Sequence, residues 1–416
     1  MAEFGPKPRS ILMIKSHSLG VGDLLRSSAA WRVMKNAWPH VQLHLLFLSK
    51  HPGYPTQDLI KQHHLLSSAH FITLREGSPQ DPSKKRVKMS HILWQAQSIA
   101  KEHEVDWVID FEMHGLRTAW LTWRLGQLPL KRHEGSVHSN EGLENHLKPR
   151  RIQTFGVNQF WPRAWFYRHS SVSLPQYSHQ EGLASPMDYT HRDFVVLSAL
   201  GLRRGDTPIE LEASEASVLK ARSLLEQAFP PDSQTSAISP RPLWGLNIGC
   251  GTPDALAKRP RLKDLVQSVL ALAQRYTFDL VLTGAPFERE INEEFIEALK
   301  EQLNEQLNTQ LNAQLNAQLN EVKTDLDPSP VKPRLFNAAG TGSLSDLSGL
   351  ISKCELFIST DSGPYHMAVA LKVPTLVWFV IDQPASYHQV PWCERVVNPN
   401  VSEVLEAVKT LKPRAT

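Results

Sequence analysis

The sequence predicts an α/β protein made of two doubly wound halves, and three observations predict it. Short apolar runs of strand length recur along the chain, among them 11–15 (ILMIK), 41–48 (VQLHLLFL), 106–111 (DWVIDF), 243–249 (LWGLNIG), 278–284 (FDLVLTG) and 375–380 (TLVWFV). Most are followed by segments with helical apolar spacing, and strand–helix alternation builds a parallel sheet. A proline- and serine-rich stretch, 230–242 (PPDSQTSAISPRP), separates two such series and reads as a linker. The expected organisation is a first domain over 1–228, a linker over 229–242, a second domain over 243–400 and a closing helix over 401–416.

In the first half, ILMIK runs through SHSLGVGD (16–23) into a helix over 24–38, which Pro39 ends ahead of the strand at 41–48. Gly20 and Gly22 are followed by Asp23 rather than a third glycine, so the dinucleotide fingerprint is absent. Asp23 opens the helix. It is either a first-turn partner of the helix dipole or a reactive carboxylate at a strand's carboxyl end, where open α/β sheets place ligands. HFITL (70–74) reads as a strand and 75–90 as a polar loop carrying Lys84, Lys85, Arg86 and Lys88. Such a cluster is a solvated loop or a face for an anionic acceptor or membrane surface. Helices are expected over 92–103, 113–126, 187–202 and 214–228, with 127–187 irregular.

In the second half, a loop at 250–261 leads to a helix over 262–276, and the strand at 278–284 leads through APFERE to a helix beginning INEEFIEALK. Residues 301–320 are five tandem tetrapeptides, EQLN-EQLN-TQLN-AQLN-AQLN. They place leucines at i, i+4 on a helix and read as a dispensable expansion, or else as a partner-binding stripe. The segment that organises the half is 356–379, LFISTDSGPYHMAVALKVPTLVWF. LFIS is a strand, TDSGP a turn and helix start, and YHMAVALK a helix closed by Pro374. A strand feeding a helix N-terminus is a ready phosphate site, because the first turn's N–H groups lack intrahelical partners. Ser362 adds a hydroxyl, Gly363 permits close approach, and Asp361 suits a sugar hydroxyl or the cap. The same pattern also serves as a plain capped crossover helix.

Composition narrows the function. The chain of 416 residues is 41% apolar and 21% charged, with a formal charge of +3, so it is expected to be globular and to have no nucleic-acid partner. Three cysteines with no C-x-x-C spacing argue against a disulfide framework or zinc ribbon and for a reducing, cytosolic compartment. The first ten residues lack a signal peptide's apolar core, and no apolar run nears the ~20 residues that span a bilayer. Eighteen histidines are present without an H-E-x-x-H, and they read as surface or satisfied core residues.

TDSGPYHMAVALKVPTLVWF resembles the D-[ST]-G-P-x-H-x-A-x-A-L-x-x-P-T signature of glycosyltransferase family 9, the ADP-heptose:lipopolysaccharide heptosyltransferases. ILMIK…LGVGDLLRSSAAWRVMK, DWVIDFEMHGLRTAWLTWRLG, NIGCGTPDALAKRP and LTGAPFERE are similar to its other segments, in order. The resemblance implies the GT-B fold, two Rossmann-like domains facing each other across a cleft. It also implies inverting transfer of a heptose-like sugar from a nucleotide-diphosphate donor, ADP-linked, to a lipopolysaccharide-core or related glycan. Carried over by position, Asp23 is the catalytic base, with Gly20 and Gly22 in its loop. Lys258, Glu288, Asp361, Ser362, Gly363 and His366 bind the donor. No metal and no cofactor beyond the nucleotide sugar is implied. The implied partners are that donor, an anionic glycolipid or glycan acceptor, and the cytoplasmic face of the inner membrane as a peripheral contact.

The chain departs from the family in three places. Val21–Gly22 are inserted before Asp23, no tryptophan precedes Pro260, and Val380 stands where a glycine is usual. A non-catalytic member that binds a nucleotide sugar, glycan or protein is the competing expectation, with a nucleotide-sugar epimerase third.

Overall fold

A computed structural model describes residues 7–16, 20–50, 52, 56–77, 82–130, 151–183, 189–230, 241–249, 253–319, 332–380 and 388–411. The chain forms two compact units, one from the start to Ile209 and one from Glu210 onward. The first contains β1 (Ser10–Ser16), α1 (Val21–Leu25), α2 (Ser28–Ala37), β2 (Gln42–Ser49), α3 (Thr56–Lys61), β3 (Ser68–Thr73), β4 (Arg75–Gly77), β5 (Pro82–Arg86) and α4 (Met89–Glu102). It continues through β6 (Trp107–Asp110), α5 (Arg117–Leu125), β7 (Gln153–Val157), β8 (His169–Ser171), α6 (Leu174–Gln180) and α7 (Arg192–Leu197). The second contains α8 (Glu215–Ala228), β9 (Leu243–Asn247), α9 (Leu262–Ala273), β10 (Asp279–Thr283), α10 (Arg289–Leu319) and β11 (Arg334–Asn337). It ends with α11 (Leu344–Ser352), β12 (Leu356–Thr360), α12 (Gly363–Ala370), β13 (Thr375–Phe379), β14 (Cys393–Val397) and α13 (Val401–Leu411).

Each unit is built on one six-stranded sheet. The orders are β3-β2-β1-β6-β7-β8 and β11-β10-β9-β12-β13-β14, and every pairing within them is parallel. The separate β4–β5 hairpin aside, both sheets start from a central strand, add two strands on one side and then three on the other. That is the doubly wound plan, and its strand order reverses between β1 and β6 and between β9 and β12. Parallel strands covered on both faces must be apolar throughout. β1, β6, β12 and β13 are accordingly buried along their whole length. Leu12, Ile14, Leu46, Leu48 and Val108 form the first core with Ile92 and Ala96 of α4. Leu246, Leu280, Ile358 and Leu376 form the second with Leu265, Val269 and Phe295. Each such side chain contributes about 1.5–3 kcal/mol on burial.

Residues 231–240 of the expected linker lie outside the described residues; α8, ahead of them, packs on α11 and belongs to the second compact unit, which starts at Glu210. A backbone contact decides how closely: Gly349 of α11 lies against the carbonyl of Ser217, where a Cβ would come within 2.3 Å. Residues 127–187 are not irregular throughout. They supply β7 and β8, which complete the first sheet, although 131–150 lie outside the described residues. The polar stretch 75–90 contains the β4–β5 hairpin, on which Lys85 is exposed and paired with Glu76 at 3.1 Å.

The repeat continues the preceding helix through Leu319, making α10 a single element of 31 residues. Phe295, Ile296 and Leu299 anchor its start in the core and Leu303 packs against them, whereas Leu307 is exposed. Removal of residues 309–320, the last three tetrapeptides, is therefore expected to move the melting temperature by no more than about 2 °C, less than the shift produced by 1 kcal/mol in a domain of this size. Loss of soluble protein would show that the leucine stripe packs on the core.

Candidate functional site

In the second unit the candidate residues gather where the strand order reverses, at the carboxyl ends of β9 and β12. α12 explains the local chemistry. Its residues Tyr365–Ala370 are all buried, so it has no polar face and runs inside the unit. Its N-terminus begins at Ser362 without a side-chain cap, and Pro364 stands in its first turn. Asp361, just ahead of it, is joined to Lys258 by an ion pair of 2.5 Å, although the two are 103 residues apart. Lys258 ends the 3-10 turn Pro253–Lys258 that follows β9. The lysine is partly exposed and the aspartate nearly buried. A cation and a helix N-terminus thus lie side by side, a combination suited to a diphosphate.

The other donor candidates are placed differently. The hydroxyl of Ser362 donates to Asn247 Oδ1 at 3.0 Å and lies 3.2 Å from the carbonyl of Thr360, so it points to the strand ends. Asn247, at the end of β9, holds the hydroxyl inward, while the Ser362 residue itself stands at the N-cap of α12. Gly363 is the first residue of α12. His366 is buried, and its Nδ1 lies 2.8 Å from Nε2 of the buried His388. It belongs to the interior of the unit, as a helix without a polar face requires. Glu288 is also buried. Its Oε2 accepts the Ala285 N–H at 2.8 Å, and the carboxylate lies flat on Gly249 and Gly284. A Cβ on Gly249 would stand 1.7 Å from Glu288 Oε1, so glycine is required there and Glu288 braces the loops that follow β9 and β10.

Beyond these residues lies a cavity of about 560 Å³ in the same unit, lined among others by Arg259, Pro260, Arg261, Trp378, Val380 and Asn398. Its size is in the range of small-molecule sites. Two of the three departures from the family pattern, the one before Pro260 and the one at Val380, line this single space. Sequence alone placed them 120 residues apart.

In the first unit, Gly20 precedes α1 in extended conformation, and among the described residues a Cβ there would meet the amide of Gly22 at 3.9 Å. Gly22 is buried within α1, and Asp23 stands in its first turn, with Gly20 rather than Asp23 as the N-cap. The Asp23 carboxylate is 40% exposed and pairs with Arg26 at 2.8 Å. Arg26 in turn lies over the Tyr189 ring.

Residues the sequence reading passed over surround the ends of β1 and β6. Lys15 is buried between Asp193, at 2.9 Å, and Ser27. Asp110 accepts from the fully buried Arg163 at 2.8 Å and from the Tyr167 hydroxyl at 2.7 Å. Gly156 leaves room for that tyrosine, since a Cβ would meet its ring at 2.2 Å. Glu112 accepts the Ser16 N–H at 2.7 Å. Burial pushes its carboxyl up to about 7, against the opposing pull of the Ser16 N–H and Lys15. A carboxyl held protonated by the fold favours the native state at low pH. That stability is full below the unfolded value and is lost as pH rises through about 7. Glu112→Gln is therefore expected to remove a decline of up to roughly 3 kcal/mol between about pH 4.5 and 7.5. Urea unfolding across that range checks it, and parallel stability curves for variant and wild type would contradict it.

Among the described residues, no helix is long and apolar enough to cross a membrane. Residues 268–410 match the family model of glycosyltransferase family 9 (heptosyltransferase). Among solved structures, a family 9 glycosyl transferase from Veillonella parvula superposes with a TM-score of 0.62 at 16% identity, covering 97% of each chain. The ADP-heptose lipopolysaccharide heptosyltransferase II of E. coli superposes with a TM-score of 0.57 at 14% identity, covering 97% of this chain and 98% of its own. The E. coli heptosyltransferase WaaC, solved with ADP, gives 0.56 at 12% identity, covering 96% and 99%. At these identities the likeness establishes the fold, which is GT-B. No protein of curated function matches the chain by sequence.

Proposed function

We propose, on the premise that the second unit of this chain carries a family 9 glycosyltransferase domain, that the protein transfers a heptose-like sugar from a nucleoside-diphosphate donor to a lipopolysaccharide-core or related glycan acceptor. The observation that carries this reading is the Lys258–Asp361 pair, 2.5 Å long and set beside the uncapped N-terminus of α12. In the reaction the acceptor oxygen attacks the anomeric carbon, the bond to the diphosphate breaks, and the configuration inverts. Lys258 and the helix N-terminus balance the charge that develops on the departing diphosphate, so the step needs neither a metal ion nor a further cofactor. Asp361 is placed to meet the sugar or hold Lys258. Arg259 and Arg261 bring positive charge to the neighbouring cavity, where the rest of the donor fits. An ADP-linked donor agrees with the two E. coli structures, one named for ADP-heptose and one solved with ADP.

Asp23 serves as the base that takes the acceptor's proton. The first unit also exposes Trp161 and Trp165, edge to face at 5.2 Å, and Trp123 with Arg124 against it. Exposed tryptophan with arginine suits a glycolipid acceptor or peripheral contact with the inner membrane surface.

A second reading, a binding module without turnover, is favoured by the Asp23–Arg26 ion pair, which occupies the carboxylate the reaction needs. The purified chain, given ADP-heptose and a lipopolysaccharide-core acceptor, is expected to yield an acceptor heavier by one heptose, with the new linkage inverted by NMR. Donor binding without any product would favour the second reading.

A further inference from the structure

The first unit gathers three histidines at the sheet edge opposite the carboxyl ends described above. His44 lies near the start of β2, and its register partner is Ser68, the first residue of β3. His70 follows two residues later and so shares the face of Ser68. His103 caps the C-terminus of α4, and its carbonyl accepts the Ser10 hydroxyl at 2.8 Å at the start of β1. One ring nitrogen from each histidine lies within 4.8 Å of the others. Ser68 Oγ stands between them, 2.8 Å from His44 Nδ1, 2.7 Å from His70 Nε2 and 3.4 Å from His103 Nε2.

We propose that His44, His70 and His103 bind a divalent transition-metal ion such as zinc, as a structural site that ties α4 to β2 and β3. The Nε2 atoms of His70 and His103 are only 2.9 Å apart. Two imidazole nitrogens this close must share something positive between them, either a single proton or a metal ion. A zinc ion bound at about 2.0–2.1 Å by tetrahedral ligands sets its nitrogens about 3.3 Å apart, so His70 and His103 need only a small shift. Ring-nitrogen lone pairs lie in the ring plane, so His103 must also tilt off His44, on which it stacks with centroids 4.1 Å apart, while it packs at 5.0 Å on His70.

Metal binding needs neutral imidazoles. Burial and the neighbouring histidines push His44 down to about 4 and lower His70. Of the charged groups beside them, Lys35 acts on His44, and Glu102 brings negative charge to His70. His70 and His103 are part-exposed, which gives the ion a path in from solvent and leaves water as a fourth ligand. The site is distant from the transfer chemistry in role. It is expected to affect folding rather than turnover.

The test uses the full chain, free of any histidine tag and stripped with a chelator, then titrated with Zn²⁺ and separately with Co²⁺. The wild type is expected to bind one more equivalent of Zn²⁺ than His70→Ala/His103→Ala, with affinity at least tenfold higher than that variant's background, and to gain thermal stability on binding. Co²⁺ should give the visible absorption of a four-coordinate site of three nitrogens and a water in the wild type alone. His103→Gln keeps a hydrogen-bonding head without an imidazole. It should also lose the metal, which covers the case in which the double variant fails to fold. Equal Zn²⁺ stoichiometry and equal thermal response in wild type and His103→Gln would overturn the proposal and leave a hydrogen-bonded hub centred on Ser68.

Discussion

Lys258→Ala is expected to weaken binding of a nucleoside diphosphate by tenfold or more while leaving the monophosphate almost unaffected. A hydrogen bond to a charged group is worth about 1.5–3 kcal/mol, and in the proposed complex Lys258 meets the second phosphate. The loss has a second part, because Asp361 is nearly buried and its partner at 2.5 Å is removed. An unneutralised carboxylate beside a diphosphate repels it. Lys258→Ala/Asp361→Asn should therefore recover part of the affinity, and calorimetry with ADP and AMP on all three proteins measures it. Equal affinities in wild type and Lys258→Ala would make the lysine a solvent residue that pairs with Asp361 and does nothing else.

Asp23→Asn is expected to lower turnover by about 100- to 10,000-fold, the usual cost of losing a general base, with donor affinity and melting temperature close to wild type. Asparagine keeps the shape and removes the base. Arg26, 2.8 Å away, pairs with the carboxylate and must give way for Asp23 to take the acceptor's proton. Positioning can supply much of the effect when reacting atoms are held about 3 Å apart. Arg26→Gln separates the two roles. If Asp23 is the base, Arg26→Gln costs far less turnover than Asp23→Asn. If Asp23 only holds Arg26, the two variants behave alike.

The central strands were legible because parallel strands with covered faces read as unbroken apolar runs, as ILMIK and LFIS do. Of the four outer strands only β3 was, as HFITL. β8 has only the sequence His-Ser-Ser, and β11 and β14 are half-buried, so their composition does not separate them from loops. Proline and serine mark a break in secondary structure, but α8 docks on α11 through a glycine, a contact that no local composition records.

At the site, the 361–375 motif located the helix N-terminus, and the lysine was identified by position. Their pairing spans 103 residues and had no local signal. The direction of the Ser362 hydroxyl depended on Asn247, a residue in another strand. Arg163 sits among tryptophans in a segment without periodicity and gave no signal of its own, yet it is fully buried on Asp110. The three histidines at 44, 70 and 103 follow no ligand spacing; only the register of β2 on β3 and the end of α4 bring them together.

The central claim is that the chain cleaves the bond between a sugar and a nucleoside diphosphate in order to transfer the sugar. Release of nucleoside diphosphate from a panel of nucleotide sugars, given to the purified protein with and without a lipopolysaccharide-core acceptor, tests it most directly. The account predicts acceptor-dependent release, greatest with ADP-heptose or another ADP-linked sugar and lowered about 100-fold or more in Asp23→Asn. Tight donor binding with no release from any nucleotide sugar, acceptor present, would contradict it.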